Sequence, residues 1–181
     1  MGTVIDPHDT TSPDTDGRKQ PSAWDAALRL LGVRARSRNE MRERLTRRGF
    51  DADTVDDVMA RLDKAGLLDD EDFATEWVRS RGANSGRGRV ALRHELKAKG
   101  VDASTIESAL SDIDPDDERA VARRLVDRKL TPRVIDEALA DRMARDKQFR
   151  RLAGMLVRRG YPQSMALEVV GEALNEALAD H

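Results

Sequence analysis

The sequence predicts an all-α protein built from three tandem copies of one three-helix unit, and three observations carry that expectation. Charged residues make up 36% of the 181 and aromatics only 3%, a profile that suits helices with broad solvated faces better than a sandwich or barrel. Apolar residues recur at i, i+3, i+4 and i+7 between polar caps and glycine stops. Most telling, the chain matches itself when laid over Gly49, Gly100 and Gly160.

Residues 1–21 hold four aspartates, three prolines and almost no large apolar side chain, too little buried surface to offset ordering entropy, so they are expected to form a disordered tail. Ser22 then caps a first helix that places Trp24, Ala27, Leu28 and Leu31 on one face and ends near Gly32. Ser37 and Glu40 form a Ser-x-x-Glu capping box opening a second helix, which Gly49 closes in the left-handed conformation glycine adopts best. Asp51 caps a third, with Val55, Val58, Met59 and Leu62 along one stripe and Gly66 as its stop. Asp69 opens the next unit with Phe73 and Trp77, and Asp114-Pro115 opens the last with Val121 and Leu125. The aromatics Trp24, Phe73 and Trp77 are expected to be core anchors.

The units are therefore residues 22–67, 68–113 and 114–181, about nine helices in all. Eight residues before each key glycine stand Met41, Leu92 and Leu152, four before stand Leu45, Leu96 and Leu156, and directly after come Phe50, Val101 and Tyr161. The stripe of the third helix repeats as Ile106, Ala109, Leu110, Ile113 and as Ala166, Val169, Val170, Ala173. Gly49 and Gly100 are 51 residues apart but Gly100 and Gly160 are 60 apart, which places an insertion near residues 131–146. Thr131-Pro132 reads as a cap followed by proline at the first helical position, so the insertion extends or precedes the eighth helix. Three short helices enclose little interior, and neighbouring units are expected to pack on one another as an elongated array.

The formal net charge is -2, yet the charges are segregated. The middle helix of each unit is basic and the helix after it acidic: Arg38, Arg42 and Arg48 precede Asp51, Asp53 and Asp56, and Arg93, Lys97 and Lys99 precede Asp102 and Glu107. Macrodipole complementation explains part of this, with acids at helix starts and bases at helix ends. The recurrence of bases at corresponding positions in all three units points further, to a basic strip facing a polyanionic partner, nucleic acid or an acidic protein surface.

Other classes find little support. Without cysteine there is no disulfide, thiolate metal site or thiol nucleophile, which suits the cytoplasm. The start of the sequence lacks a basic segment followed by an apolar one, and no apolar run approaches ~20 residues. The glycine-rich stretch GANSGRG at 82–88 lacks the Lys-Ser/Thr of a P-loop and follows no strand, so it reads as the turn between the fourth and fifth helices. His8, His94 and His181 are scattered, and the acids from Asp69 to Asp72 are those a helix start favours; no metal or cofactor is expected. With neither nucleophile nor cofactor loop, an enzyme ranks last.

Residues 23–178 resemble the RecX family of recombinase regulators. The resemblance rests on GLLDDEDFATEWV at 66–78, supported by SRNEMRERLTRRGF at 37–50, GRVALRHELKAKGV at 88–101 and LAGMLVRRGY at 152–161. It implies a monomeric regulator of RecA that lies in the helical groove of the RecA–DNA filament. There it restrains growth or favours disassembly, lowering ATP hydrolysis, strand exchange and cleavage of the SOS repressor. Motif position and charge nominate Arg38, Arg42 and Arg48 in the first unit, Arg87, Arg89, Arg93, Lys97 and Lys99 in the second, and Arg158 and Arg159 in the third. Weak binding to single- or double-stranded DNA is compatible with that role. The alternatives are a directly DNA-binding protein, non-specific or transcriptional, and a structural adaptor of another assembly. The absence of obvious Asn/Gln base readers among the repeated bases argues against sequence reading.

Overall fold

The computed structural model describes residues 22–180; the expected tail at residues 1–21 and His181 lie outside them. The described residues are all-helical, with ten α-helices: α1 Ala23–Val33, α2 Arg38–Thr46, α3 Ala52–Lys64, α4 Asp70–Arg79, α5 Arg89–Ala98, α6 Ala103–Ser111, α7 Pro115–Asp127, α8 Pro132–Leu139, α9 Arg142–Arg158 and α10 Gln163–Ala179. The count exceeds the expected nine because the insertion folds as a helix of its own, α8, and also begins α9. A π-helical turn, Ser80–Asn84, continues α4. The glycine-rich stretch thus starts inside helical backbone, and only residues 86–88 leave it.

Side-chain caps set the helix starts. Ser22, Ser37, Asp51, Asp69, Asp102, Asp114 and Asp141 each accept a backbone N–H from the first turn, a contribution of about 1 kcal/mol each. The Ser37 box is only half made. Ser37 Oγ accepts the Glu40 N–H at 3.1 Å, but the Glu40 carboxylate turns instead to Arg34, Arg36 and Lys99.

Each unit buries its own apolar cluster. Met41, Leu45, Val55 and Leu62 centre the first, Phe73, Leu92, Leu96 and Ile106 the second, and Leu152, Leu156, Tyr161 and Val170 the third. The eight-before and four-before positions are buried in all three copies, each full burial being worth about 1.5–3 kcal/mol. Every extensive helix–helix contact lies within a unit. Residues of the unit's own first helix, such as Ala23, Ala26, Ala27 and Leu30 of α1, complete the interior, and the junctions between units combine hydrogen bonds with close packing, as of Gly86 on Leu125 and Gly160 on Ala91.

The aromatic anchors are only partly interior. Phe73 is buried and stacks on Trp77 at 5.7 Å between ring centroids. Trp24 and Trp77 are half-buried; Arg61 covers the first at 4.1 Å, and Lys99 and Arg81 cover the second at 4.2 and 4.8 Å. A cation over the ring lets each indole bury one edge while its outer face meets charge.

Candidate partner-binding surface

The two junctions are built on equivalent positions of the repeat. In the first, Ser37 Oγ donates to the Lys99 carbonyl at 2.6 Å; in the second, the Gly88 N–H donates to the Arg159 carbonyl at 3.0 Å. Ser37 and Gly88 are equivalent N-caps, each twelve residues before its glycine, and Lys99 and Arg159 directly precede Gly100 and Gly160. One residue on from those caps stand Arg38 and Arg89. The Arg38 N–H donates to Asp70 Oδ1 (2.9 Å), its Nε to Asp63 (3.0 Å) and its Nη2 to the Leu68 carbonyl (3.2 Å). The Arg89 N–H donates to Glu118 Oε1 (2.8 Å), its Nε to Oε2 (2.6 Å) and its Nη2 to the Ile113 carbonyl (3.4 Å). In both junctions one arginine clasps the linker and first helix of the next unit. The third copy carries Phe149 at this position, packed against the third core.

The remaining nominated cations divide into paired and free. Arg42 pairs with Asp56 and Arg93 with Glu107, again at equivalent positions seven residues either side of the key glycine. Glu107 lies below the usual carboxylate range because it accepts from Arg93. Arg87 pairs with Glu95 at 2.9 Å. Lys99 reaches Glu40 at 3.7 Å across the first junction; burial works to raise the Glu40 pKa, but the hydrogen bond from Arg34 and the charges of Lys99, Arg34 and Arg36 outweigh it and hold the carboxyl below its ordinary value. Arg159 Nη1 donates to the Ser85 carbonyl at 3.0 Å. Arg48, Lys97 and Arg158 are exposed and form no ion pair among the described residues. Six of the ten nominated cations thus hold a carboxylate, and three of these, Arg38, Arg42 and Arg93, hold one on the acidic helix of their own unit, a relationship that net charge by helix does not reveal.

Unpaired charge gathers elsewhere. Between the π-helical turn and α7 runs a groove of about 880 Å³ lined by Asn84, Ser85 and Gly86 on one wall and by Arg124, Arg128 and Lys129 on the other, with Arg159 at its end. Arg124, Arg128 and Lys129 form no ion pair among the described residues, and the one carboxylate present, Asp127, is held by Arg123 at 2.7 Å. An adjoining cleft of about 480 Å³ shares Arg124, is rimmed by Asp112, Asp114 and Asp117, and reaches the buried Tyr161. Sequence reasoning missed the groove because its cations belong to the first helix of the third unit, outside the repeated basic helices. The available signal was an Arg-x-x-x-Arg-Lys run at the end of α7 with a glycine-rich segment otherwise unassigned.

Ten helices gathered around three apolar clusters, with arginine clasps between them, define an all-α protein whose exposed chemistry is that of charged surfaces. Among the described residues no group of His, Cys, Asp and Glu is placed to hold a metal ion, and no helix is long and apolar enough to cross a membrane. The first three-helix domain of RecX matches residues 23–62 and the second matches residues 69–110. Regulatory protein RecX of Mycobacterium sp. (strain KMS) is 49% identical over 169 residues, 91% of each chain, and that of Mycolicibacterium smegmatis is 49% identical over 159 residues, 87% of this chain and 83% of the other. The crystal structure of RecX from Lactobacillus salivarius shares the fold, with TM-score 0.69 at 22% identity over 83% of this chain and 94% of that one. The chain belongs to the RecX family of regulatory proteins.

Proposed function

We propose that this chain regulates the RecA recombinase by lying in the helical groove of the RecA–DNA filament, where it restrains growth or favours disassembly and so lowers ATP hydrolysis, strand exchange and SOS repressor cleavage. The observation that carries this reading is membership of the RecX family, at 49% identity over 91% of the chain to a regulatory protein RecX. It acts by binding, as a cytoplasmic monomer, and carries out no chemistry of its own.

The repeat supports the reading physically. A filament presents the same subunit surface at each step, and each unit presents an exposed cation shortly before its key glycine, Arg48, Lys97 and Arg158 standing one, three and two residues before it. Arg48, Lys97 and Arg158 lead the contact set because among the described residues they have no ion-pair partner to give up. Arg42, Arg87 and Arg93 follow, since exposed ion pairs contribute only about 0–1 kcal/mol and yield readily to a partner's carboxylates. Arg38, Arg89, Lys99 and Arg159 act through the junctions that set the spacing of the units.

The test is RecA ATP hydrolysis on single-stranded DNA, titrated with this protein well below the RecA concentration. Inhibition at substoichiometric amounts is the expected result. No effect at any ratio, with the protein shown folded, would remove RecA as the partner.

A further inference from the structure

We infer that the cleft between α4 and α7 is a ligand site for a two-ended aliphatic chain, with an ammonium at one end and a carboxylate at the other. That is the chemistry of an ω-amino acid, or of a lysine and a glutamate set apart on one peptide. The inference goes beyond the regulatory reading and does not depend on it.

The helix face that lines the cleft is itself two-ended. Asp117, Val121 and Arg124 all line it, at the i, i+4, i+7 spacing that shares one helix face. That face of α7 therefore runs from acid through apolar to base over about 10 Å of helix axis. Val78 of α4, Ala109 of α6 and the neighbouring Ile113 extend the apolar lining. The volume of about 480 Å³ lies within the roughly 300–1,000 Å³ of small-molecule sites.

Other charges on the walls are already paired. Arg79 holds Glu76 at 2.7 Å, Arg87 holds Glu95 at 2.9 Å and Glu118 is held by Arg89 at 2.6 Å. Asp112, Asp114, Asp117 and Arg124 line the cleft and form no ion pair among the described residues. The three acids gather at the start of α7, where the macrodipole favours them without any ligand.

Tyr161 is what helix capping does not explain. It lines the same cleft, is 2% exposed, and its hydroxyl has no hydrogen-bond partner among the described residues. A buried hydroxyl without a partner is unfavourable, and the charge of Arg124 reaches this one. A ligand carboxylate at the Arg124 end accepts from both the guanidinium and the Tyr161 O–H, the charge-assisted kind of hydrogen bond. Its methylenes then lie along Val121, and its ammonium meets Asp112 and Asp117.

The test is a calorimetric and ¹H–¹⁵N NMR titration of the full chain, without RecA, with 8-aminooctanoate. Octylamine and octanoate supply one end each, and 4-aminobutanoate both ends on too short a spacer. The expected result is saturable binding of 8-aminooctanoate at least about tenfold tighter than that of the other three, with shifts at Val78, Val121 and Tyr161. D112N/D117N, which spares the Asp114 cap, and R124Q should each weaken it at least about fivefold, and Y161F about threefold. D116N removes an acid of the same turn that does not line the cleft and should bind as wild type; circular dichroism checks that all four variants fold. Octylamine or octanoate binding as tightly as 8-aminooctanoate would overturn the two-ended site, as would an absence of saturation or equal losses in D116N and D112N/D117N. The peptide Ac-Lys-Ala-Ala-Glu-NH2, whose charged residues stand roughly 10 Å apart when extended, separates the two sources: tighter binding than 8-aminooctanoate supports the site with a protein segment as its ligand, and weaker binding supports it with a free ω-amino acid.

Discussion

Ser37 and Lys99, far apart in sequence, meet through a 2.6 Å hydrogen bond from hydroxyl to carbonyl, and the same place in the next junction is taken by the Gly88 N–H and the Arg159 carbonyl. The repeat therefore extends beyond the helices to the joints between them. A side-chain donor in one joint has become a backbone donor in the other, so the second can tolerate no side chain where Ser37 stands in the first: a Cβ on Gly88 would fall closer than 3.0 Å to the backbone of Gly160. One joint is held by a hydroxyl, the other by contact of backbone on backbone.

That difference ranks three equivalent glycines. Gly49, Gly100 and Gly160 all have φ between +74° and +90°, so alanine costs roughly 1–2 kcal/mol in each through the left-handed backbone alone. At Gly49 a Cβ meets nothing; at Gly100 it strikes the Asn39 side chain; at Gly160 it strikes the backbone of Ala91. Urea midpoints should fall in the order Gly49→Ala, Gly100→Ala, Gly160→Ala from mildest to most severe. Three equal losses would mean that close packing at the joints has no energetic weight.

The clasps should differ in the same direction. Glu118 is 5% exposed and holds both the Arg89 N–H and its guanidinium, while the Arg38–Asp63 side chains are 46% and 43% exposed. Breaking a buried pair costs about 3–5 kcal/mol; with Arg89 still 30% exposed, Glu118→Ala should cost about 2–3 kcal/mol. Arg38→Ala should cost no more than about 1 kcal/mol. Native-state hydrogen exchange reads both, and the prediction fails if the first joint proves the stronger.

Much of this architecture was legible in the sequence. Glycine stops, Ser and Asp caps and the stripes through Leu45, Leu96 and Leu156 report local geometry that tertiary context did not override. The charged surface was harder to read. The pairing of Arg42 with Asp56 and Arg93 with Glu107 depends on how adjacent helices face each other, and the Arg38 and Arg89 clasps depend on where the next unit sits, so counting bases per helix counted the same side chains as free. Glu40 looked like the second half of a capping box but was drawn away by three cations.

Tyr161 gives a pH test. Its side chain is 2% exposed, its hydroxyl finds no partner among the described residues, and burial, with the Glu118 charge adding to it, pushes its pKa up to about 12 from 10.0. The folded protein therefore keeps a proton that the unfolded chain releases. This contribution is intact below pH 10, declines between pH 10 and 12, and by about pH 12 has cost about 2–3 kcal/mol. Tyr161→Phe removes that decline and, by deleting an unsatisfied buried hydroxyl, should stabilise the fold by about 1 kcal/mol at neutral pH. Denaturation at pH 8 and pH 11 distinguishes the two proteins; parallel losses in both would mean the hydroxyl reaches water.

Filament regulation should depend on free cations more than on paired ones. Arg48, Lys97 and Arg158 have no ion-pair partner among the described residues, so a contact with RecA displaces none there; Arg42 and Arg93 must first surrender Asp56 and Glu107. The triple variant R48E/K97E/R158E should therefore need at least about tenfold more protein for half-inhibition of RecA ATP hydrolysis, about 1.4 kcal/mol. R42A/R93A, which also leaves two acids unpaired at the surface, should shift it by less than about threefold, or about 0.7 kcal/mol. Comparable losses would show that the filament draws these arginines out of their pairs, and the acidic helices would then compete with RecA for the basic ones.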